Sequence, residues 1–365
     1  MLTIYLIGLS AGSLILSSLT YVFGREQYRP IARMAVFLAI VLIFGAMLSI
    51  AIDLGRPEKF WRLFMFFYMN NMASMFAING ILYGGYFVLS LTYLVFIFIG
   101  NYVHIRRMGI AAVCWAVLVH MGTGAIFGFI AARETWVSPL KPLEFLAAAL
   151  TSGLALLILV VVLTLKFSGR KPKPDIIASL GKMLSMFILV LLVLITVDKL
   201  THFYSPERSA TVFMLAGQYA WIFWCLQIGM GAVIPLSILL NPRLNKTTRW
   251  VSLAGLSVVI GVFFERYYLV IPGAAYPQHL YPGEIQGVWG AVGSFPLMPA
   301  EMILSLGIVC MLGFLFVMGL KYLELLPPKE PEEVAAPVEE PAAEIEAKAE
   351  PEPVEEAEEK AESEG

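Results

Sequence analysis

Charge is what this sequence has least of. Only 14% of its 365 residues are Asp, Glu, Lys or Arg, where a soluble chain carries about 25%. Hydrophobic residues make up 59%, and mean hydropathy is +0.79. That balance excludes a water-solvated globule and makes lipid the main solvent. Histidine is scarce too: His104, His120, His202 and His279 are the whole set. Haem held by two histidines needs them at matching depth on facing helices. Only His120 falls in mid-span, so a di-haem cytochrome b is excluded. The three cysteines, Cys114, Cys225 and Cys310, lie in apolar stretches without CxxC spacing. They encode neither a zinc site nor a cysteine-ligated iron–sulfur cluster. No basic patch with interleaved aromatics points to nucleic acid. The N-terminus lacks a charged n-region and an A-x-A cleavage site, which predicts a retained first span rather than a signal peptide.

What is present is apolar sequence in lengths that cross a bilayer. A spanning helix needs roughly 20 such residues. Spans are expected at about 2–23, 34–53, 75–99, 109–132, 143–167, 180–200, 212–240, 250–271 and 297–321. The fold class is therefore all-α, a polytopic transmembrane bundle over residues 1–325, with a disordered tail over 326–365. The tail is Ala, Glu and Pro without aromatics and cannot bury enough apolar surface to fold. From Glu330 to Gly365 it holds 15 Glu and two Lys, a net −13, so the remaining chain carries +11.

The charges are also sorted by side. Thirteen Lys and Arg fall in the loops after odd-numbered spans, among them Arg25, Arg29, Arg33, Arg106, Arg107 and Arg170; eight fall on the other side. The positive-inside rule then places the chain in the cytoplasmic membrane with its N-terminus outside and its tail in the cytoplasm. Nine acids of the body fall at the outer ends or loops, including Asp53, Glu144, Asp198, Glu265 and Glu301. A long outer connection at about 272–296, rich in Pro, Gly and Tyr, is expected to pack over the outer mouth.

A carboxylate inside a span costs roughly 2.5–3.5 kcal/mol on insertion scales, so it needs a partner or a task. Asp53 closes the second span, and Asp198, Lys199 and His202 share the last turn of the sixth. Glu265 lies inside the eighth beside Arg266, and Glu301 opens the ninth. For one acid, ion pairing accounts for it, as in Asp53 with Arg56 or Glu265 with Arg266. Acids delivered to one level by four helices point instead to proton handling. His120 reads either as a hydrogen-bonded core residue or as a proton relay. Asn70, Asn71, Ser74, Asn79, Tyr83 and Tyr86 put polar groups at the start of the third span, and Trp136 and Tyr204 fit an interfacial aromatic belt. A quinone wants donors to its carbonyl oxygens, aromatic walls and a nearby acid for its protons, and the outer cluster offers all three.

These residues also carry a resemblance. The run Asp53-Leu54-Gly55-Arg56-Pro57-Glu58-Lys59-Phe60-Trp61 resembles the DLGRPxxFW signature of the NrfD/PsrC family of quinone-interacting membrane subunits. Tyr5 to Gly12 is similar to that family's first helix. Trp136-Val137-Ser138-Pro139-Leu140-Lys141-Pro142-Leu143-Glu144-Phe145-Leu146 looks like its WxSPLxPLxFL lead-in to the fifth helix, and Gly229 to Leu236 also fits. Within the family, Tyr276-Pro277 and Tyr281-Pro282-Gly283 look most like the DsrP branch, membrane subunits of the DsrMKJOP complex.

The resemblance implies a menaquinone-reactive subunit with no haem or iron–sulfur cluster of its own. It would exchange electrons with a ferredoxin-like iron–sulfur subunit on the outer face, beside further membrane and cytochrome subunits, in sulfur or sulfite respiration. It places the quinone near Asp53, Arg56 and Trp136. Some relatives have a histidine or asparagine in the first helix; here the stretch offers Thr3, Tyr5, Ser10 and Ser13, of which Tyr5 is the candidate contact. Asp53, His120 and Glu265 are the expected proton carriers. Two rivals are an ion-coupled secondary transporter and a purely structural membrane anchor. The first usually shows an internal repeat, and none is visible here.

Overall fold

Nine long apolar stretches with no interior strand pattern can only cross lipid as helices, because every backbone group must be satisfied within the segment. The computed structural model describes residues 1–22, 24–59, 61–65, 74–170, 172–206, 208–277, 292–296 and 298–326. Among them are nine helices long and apolar enough to span a membrane. They are α1 (Leu2–Tyr21), α2 (Arg29–Asp53), α3 (Met75–Ile99), α4 (Tyr102–Gly128), α5 (Lys141–Phe167) and α6 (Pro174–Phe203). Then come α7 (Ile222–Leu239), α8 (Thr248–Ala275) and α9 (Pro299–Tyr322). The expected tail, Asn70, Asn71, His279 and the Tyr281–Gly283 motif lie outside the described residues. So does most of the outer connection, although Gly293 N–H bonds the Ala275 carbonyl at 2.9 Å.

Helix ends follow local chemistry. Ser74 caps α3 by accepting from the Ala77 N–H, and Asn101 caps α4 by accepting from that of His104. Gly100, at φ 80°, makes the left-handed turn between them. Proline sits in the first turn of α2, α5, α6 and α9, where its missing N–H costs nothing.

The seventh span, expected over 212–240 with an interruption at Gly229–Pro235, is shorter and more divided than that. A separate short helix, Arg208–Ala216, precedes it, and Ile222–Val233 is π-helical before Ile234–Leu239 returns to α geometry. The π-helical run ends at Pro235. The Ile234 N–H bonds the Gly229 carbonyl five residues back, and the next carbonyl, that of Met230, would await an N–H that proline lacks. Ser257 of α8 donates its hydroxyl to Met230 instead.

α1 is the central helix, 67% buried over its apolar window, while α9 is peripheral at 17%. α1 packs against α2, α4 and α5, and α5 in turn against α4, α6 and α8. Two crossings depend on glycine pairs: Gly12 of α1 against Gly153 of α5, and Gly231 of α7 against Gly261 of α8. A Cβ on either Gly12 or Gly153 would fall on the other helix's backbone, whereas a Cβ on Gly8 meets only the Ser152 hydroxyl at 3.8 Å. Gly12→Ala should therefore cost about 1–3 kcal/mol, and Gly8→Ala less than about 0.5 kcal/mol. Thermal unfolding in detergent, with the two variants side by side, checks the difference.

Candidate functional site: a buried ion network at the acid-rich end

The N-terminus of a helix carries partial positive charge, so a lysine at its first position is opposed by the dipole. Lys141 occupies that place in α5 and is nearly sealed, with 5% of its side chain exposed. Two carboxylates offset it: Glu144 Oε2 accepts from Nζ at 2.7 Å and Asp198 Oδ2 at 2.8 Å. Asp198, on the last turns of α6, is fully buried. It also accepts from the Ser138 hydroxyl at 2.6 Å and from Lys199 Nζ at 3.3 Å. Ser138 is held for this by its own N–H, which bonds the Gly128 carbonyl at the end of α4.

His202 lies one turn beyond Asp198. Its Nδ1 is 2.8 Å from the Asp198 carbonyl and its Nε2 is 2.7 Å from that of Val137. A neutral imidazole donates to only one of two such acceptors. The side-chain carboxylate, 3.6 Å from Nδ1, is the nearest counter-charge.

The neighbouring part of the network is under-satisfied. Arg266 of α8 is 1% exposed, and its guanidinium lies 3.9 Å above the centre of the Phe145 ring. Its Nη1 is 3.5 Å from Glu265 Oε1, a charge contact rather than a formed hydrogen bond. Arg266 Nε and Nη1, Glu265 Oε2, Glu144 Oε1 and Gln227 Oε1 are all buried without a hydrogen-bond partner. Each such group costs about 1–3 kcal/mol, and buried water is the usual means of meeting the need. Gln227 and Glu265 line a water-sized cleft between α6, α7 and α8, together with Ile188, Leu191, Ile195 and Gly231. Lys141, Lys199 and Arg266 balance Glu144, Asp198 and Glu265 as ionised groups. The set can therefore pass a proton between members without a change of total charge, provided water bridges the gaps.

The structure distributes the sequence candidates unevenly. Asp198 and Glu144 meet on Lys141, and Glu265 lies within electrostatic reach of Glu144, Lys141 and Lys199. Asp53 and Glu301 are exposed at helix ends, and neither has an ion pair among the described residues. Arg56 is exposed as well, in the turn that Gly55 makes at φ 67°. His120 is buried in α4: Nδ1 lies 2.8 Å from the Ala116 carbonyl, and Nε2 2.9 Å from Ile7 of α1. It is within electrostatic reach of Arg266. The Tyr5 hydroxyl donates to the Val259 carbonyl at 2.9 Å, and its ring meets Phe263 edge-on. Trp136 Nε1 donates to the Leu269 carbonyl at 2.8 Å, while Thr135 and Arg133 bond Gly273 and Ala274. That loop clamps the end of α8, where Pro272 interrupts the backbone ladder. Lys141 and Gln227 were not among the sequence candidates; Glu144 was read only as one of the outer-end acids, and Arg266 only as the ion-pair partner of Glu265. The available signal was Lys141 itself, a cation at a helix start three residues before a glutamate.

Similarity to known proteins decides the family. The family model described as polysulphide reductase, NrfD, matches residues 1–278. The chain belongs to the NrfD family. It is similar to the Hdr-like menaquinol oxidoreductase integral membrane subunit of Archaeoglobus fulgidus, 37% identical over 339 residues, covering 90% of this chain and 85% of that one. A selenate reductase subunit of Mesobacillus selenatarsenatis is 34% identical over 316 residues, 75% of this chain and 73% of its own. The integral membrane subunit of a menaquinone reductase from Nitratidesulfovibrio vulgaris is 23% identical over 299 residues, 74% and 71% respectively. NrfD membership and nine apolar helices make this a multi-pass integral membrane protein.

Removing one member of the buried ion set strands its partners. Lys141→Met should cost about 3–5 kcal/mol, and the triple change Lys141→Met, Glu144→Gln, Asp198→Asn should recover most of that loss. Thermal midpoints of the purified variants check both values.

Proposed function

We propose that this chain is the quinone-reactive membrane subunit of a respiratory oxidoreductase complex. It exchanges electrons between menaquinone and a ferredoxin-like iron–sulfur subunit docked at the acid-rich end, which faces outward, in sulfur or sulfite respiration. The observation that carries the reading is the electroneutral buried network with its unpartnered donors and acceptors, in a chain whose relatives include a menaquinol oxidoreductase subunit. A quinone exchanges two electrons together with two protons, so its site needs proton carriers close by.

Residues with spare hydrogen-bonding capacity are those that suit a quinone head group. Asp53 and Arg56 have it, being exposed and without an ion pair among the described residues. Arg56 would donate to a quinone oxygen, and Asp53 would take or supply a proton. Tyr5 and Trp136 have committed their polar hydrogens to the Val259 and Leu269 carbonyls, so they would serve as ring walls rather than donors. His120 stands between the first helices and Arg266, and would pass protons toward Glu265.

A secondary transporter would use the same buried acids, but discontinuous helices in such proteins come in matching halves. The π-helical segment of α7 has no counterpart among the other described spans.

Purification of the native complex should yield an iron–sulfur subunit bound to this chain, and titration with a menaquinone analogue should quench tryptophan fluorescence. Asp53→Asn, His120→Phe and Glu265→Gln should each slow quinol turnover about a hundredfold, the low end of a general acid–base contribution. Normal turnover in all three would sink the assigned roles; absence of analogue binding would sink the quinone reading itself.

A further inference from the structure

Three successive residues tie the loop ahead of α5 to three different helices. Trp136 donates through Nε1 to the Leu269 carbonyl of α8. The Val137 carbonyl faces His202 Nε2 of α6 at 2.7 Å. Ser138 bonds the Gly128 carbonyl of α4 through its N–H, and Asp198 of α6 through its hydroxyl. Trp136 is thus fixed from two sides, by its own ring on α8 and by the next carbonyl on α6.

The tie at His202 depends on a proton that water can deliver. Nδ1 of the ring lies 2.8 Å from the Asp198 carbonyl, one turn back on the same helix, so both ring nitrogens face acceptors. An imidazolium donates to both. A neutral imidazole donates to one and turns a bare lone pair on the other oxygen. The bond to Asp198 lies within α6, whereas Val137 belongs to a loop, so the loop bond is the one that can open. The side chain is 16% exposed at the acid-rich end. His120 has the same pair of carbonyl partners but is only 2% exposed, which seals it from bulk protons.

The charges around the ring are paired with one another. On α6, Asp198 Oδ1 is 3.6 Å from Nδ1, but that carboxylate is bonded to Lys141, Lys199 and Ser138. On α5, Lys141 bonds Glu144 as well. On α8, Arg266 faces Glu265. In the loop, Arg133 bonds the Ala274 carbonyl and lies over the Trp136 ring, and Glu134 is half-buried. Beyond α6, Arg208 stacks on Phe203. Among the described residues the ring is therefore held by two carbonyls rather than by a close ion pair.

We infer that His202 is a positioning residue: it latches the loop ahead of α5 to α6 and, through Trp136, makes the grip on a quinone depend on the pH of the acid-rich side. It rests on the reading of Trp136 as a wall of the quinone site. While the ring is charged, both bonds form and the wall is fixed at both ends. When the ring loses its second proton, the Val137 bond opens and Trp136 is held by α8 alone. Quinone affinity therefore falls as pH rises through the titration of this ring.

The test titrates the complete complex in detergent with dimethylnaphthoquinone, read by quenching of tryptophan fluorescence, in steps from about pH 5 to 8, where histidine changes charge. Wild-type Kd should rise roughly two- to tenfold across that range, the worth of one hydrogen bond. KM for the reduced naphthoquinone should follow Kd. His202→Gln, which keeps a donor but does not titrate, should abolish the rise. His104→Gln, at the base-rich end where the ring stacks on Phe96, should keep it. In wild type, the ring nitrogen signals of 15N-labelled His202, assigned through the bond to the Val137 carbonyl, should shift with the same midpoint as Kd. That coincidence tests the latch even where the Gln variant does not assemble. Equal slopes in wild type and His202→Gln, or a ring that keeps one protonation state while Kd changes, would overturn the inference. Absence of naphthoquinone binding at every pH would instead remove the quinone reading on which it stands.

Discussion

The structure depends on the burial of one ammonium group. Lys141 is placed where the dipole of α5 opposes it and where almost no water reaches it. Only two carboxylates supplied at hydrogen-bond distance make that tenable, one from the next turn of α5 and one from α6. Because Asp198 must reach Lys141, the end of α6 is drawn against the start of α5. Because Ser138 must reach Asp198, the lead-in loop is folded beneath Gly128. The same loop then presents Trp136, Thr135 and Arg133 to the last turns of α8. Four elements of the acid-rich end are thus positioned by one electrostatic requirement.

The bundle itself was legible because lipid imposes a length. Nine apolar stretches were visible, and the helices coincide with them to within a few residues at most ends, α3 over 75–99 matching throughout. The seventh span was not legible in the same way. Hydropathy sums side chains and is blind to backbone pattern, so it could not separate Arg208–Ala216 from the span or show that Pro235 would be accommodated by widened turns. Polar residues were read with similar partiality. Counting loop charges places Lys141, Lys199 and Arg266 at a membrane surface, as if they were solvated. In fact, all three are folded inward against acids, since a charge near a helix end can be buried by the loop that precedes it. The glycine crossings Gly12–Gly153 and Gly231–Gly261 were visible only as small residues compatible with close approach; which helices they join is a tertiary fact.

The two polar systems differ in kind, and that difference bears on what each can do. The network around Lys141 is ionic, balanced and tied at most of its contacts, with slack confined to Arg266, Glu265, Glu144 and Gln227. Its charges can shift but are anchored to one end of the bundle. The second system is neutral and long: Asn79, Tyr83, Tyr86, Ser90 and Tyr93, spaced four, three, four, three along the buried face of α3. A row of neutral polar side chains costs far less to bury than a row of charges, which explains how it can run along the bundle while ions stay near one end. His120 touches both: its ring bonds α1 one turn from Ser10, its helix carries Thr123, whose hydroxyl meets Tyr83 of α3, and Arg266 is within electrostatic reach.

This arrangement also explains why α1 is the most buried helix although it is not the most apolar. Its window has a hydropathy of 1.8, against 2.8 for the second span and 2.6 for α9, yet α9 is far less buried. Burial by hydrophobicity alone would put those helices at the centre. In lipid the order reverses, because an apolar helix is as well solvated by acyl chains as by protein, and helices are drawn inward by small residues and polar side chains. α1 is rich in both: Gly12 lets α5 approach, and Ser10, Ser13, Ser17, Ser18 and Thr20 are all buried. The central position of α1, and with it the meeting of polar row, histidine and ion network, follows from polarity rather than from hydrophobicity.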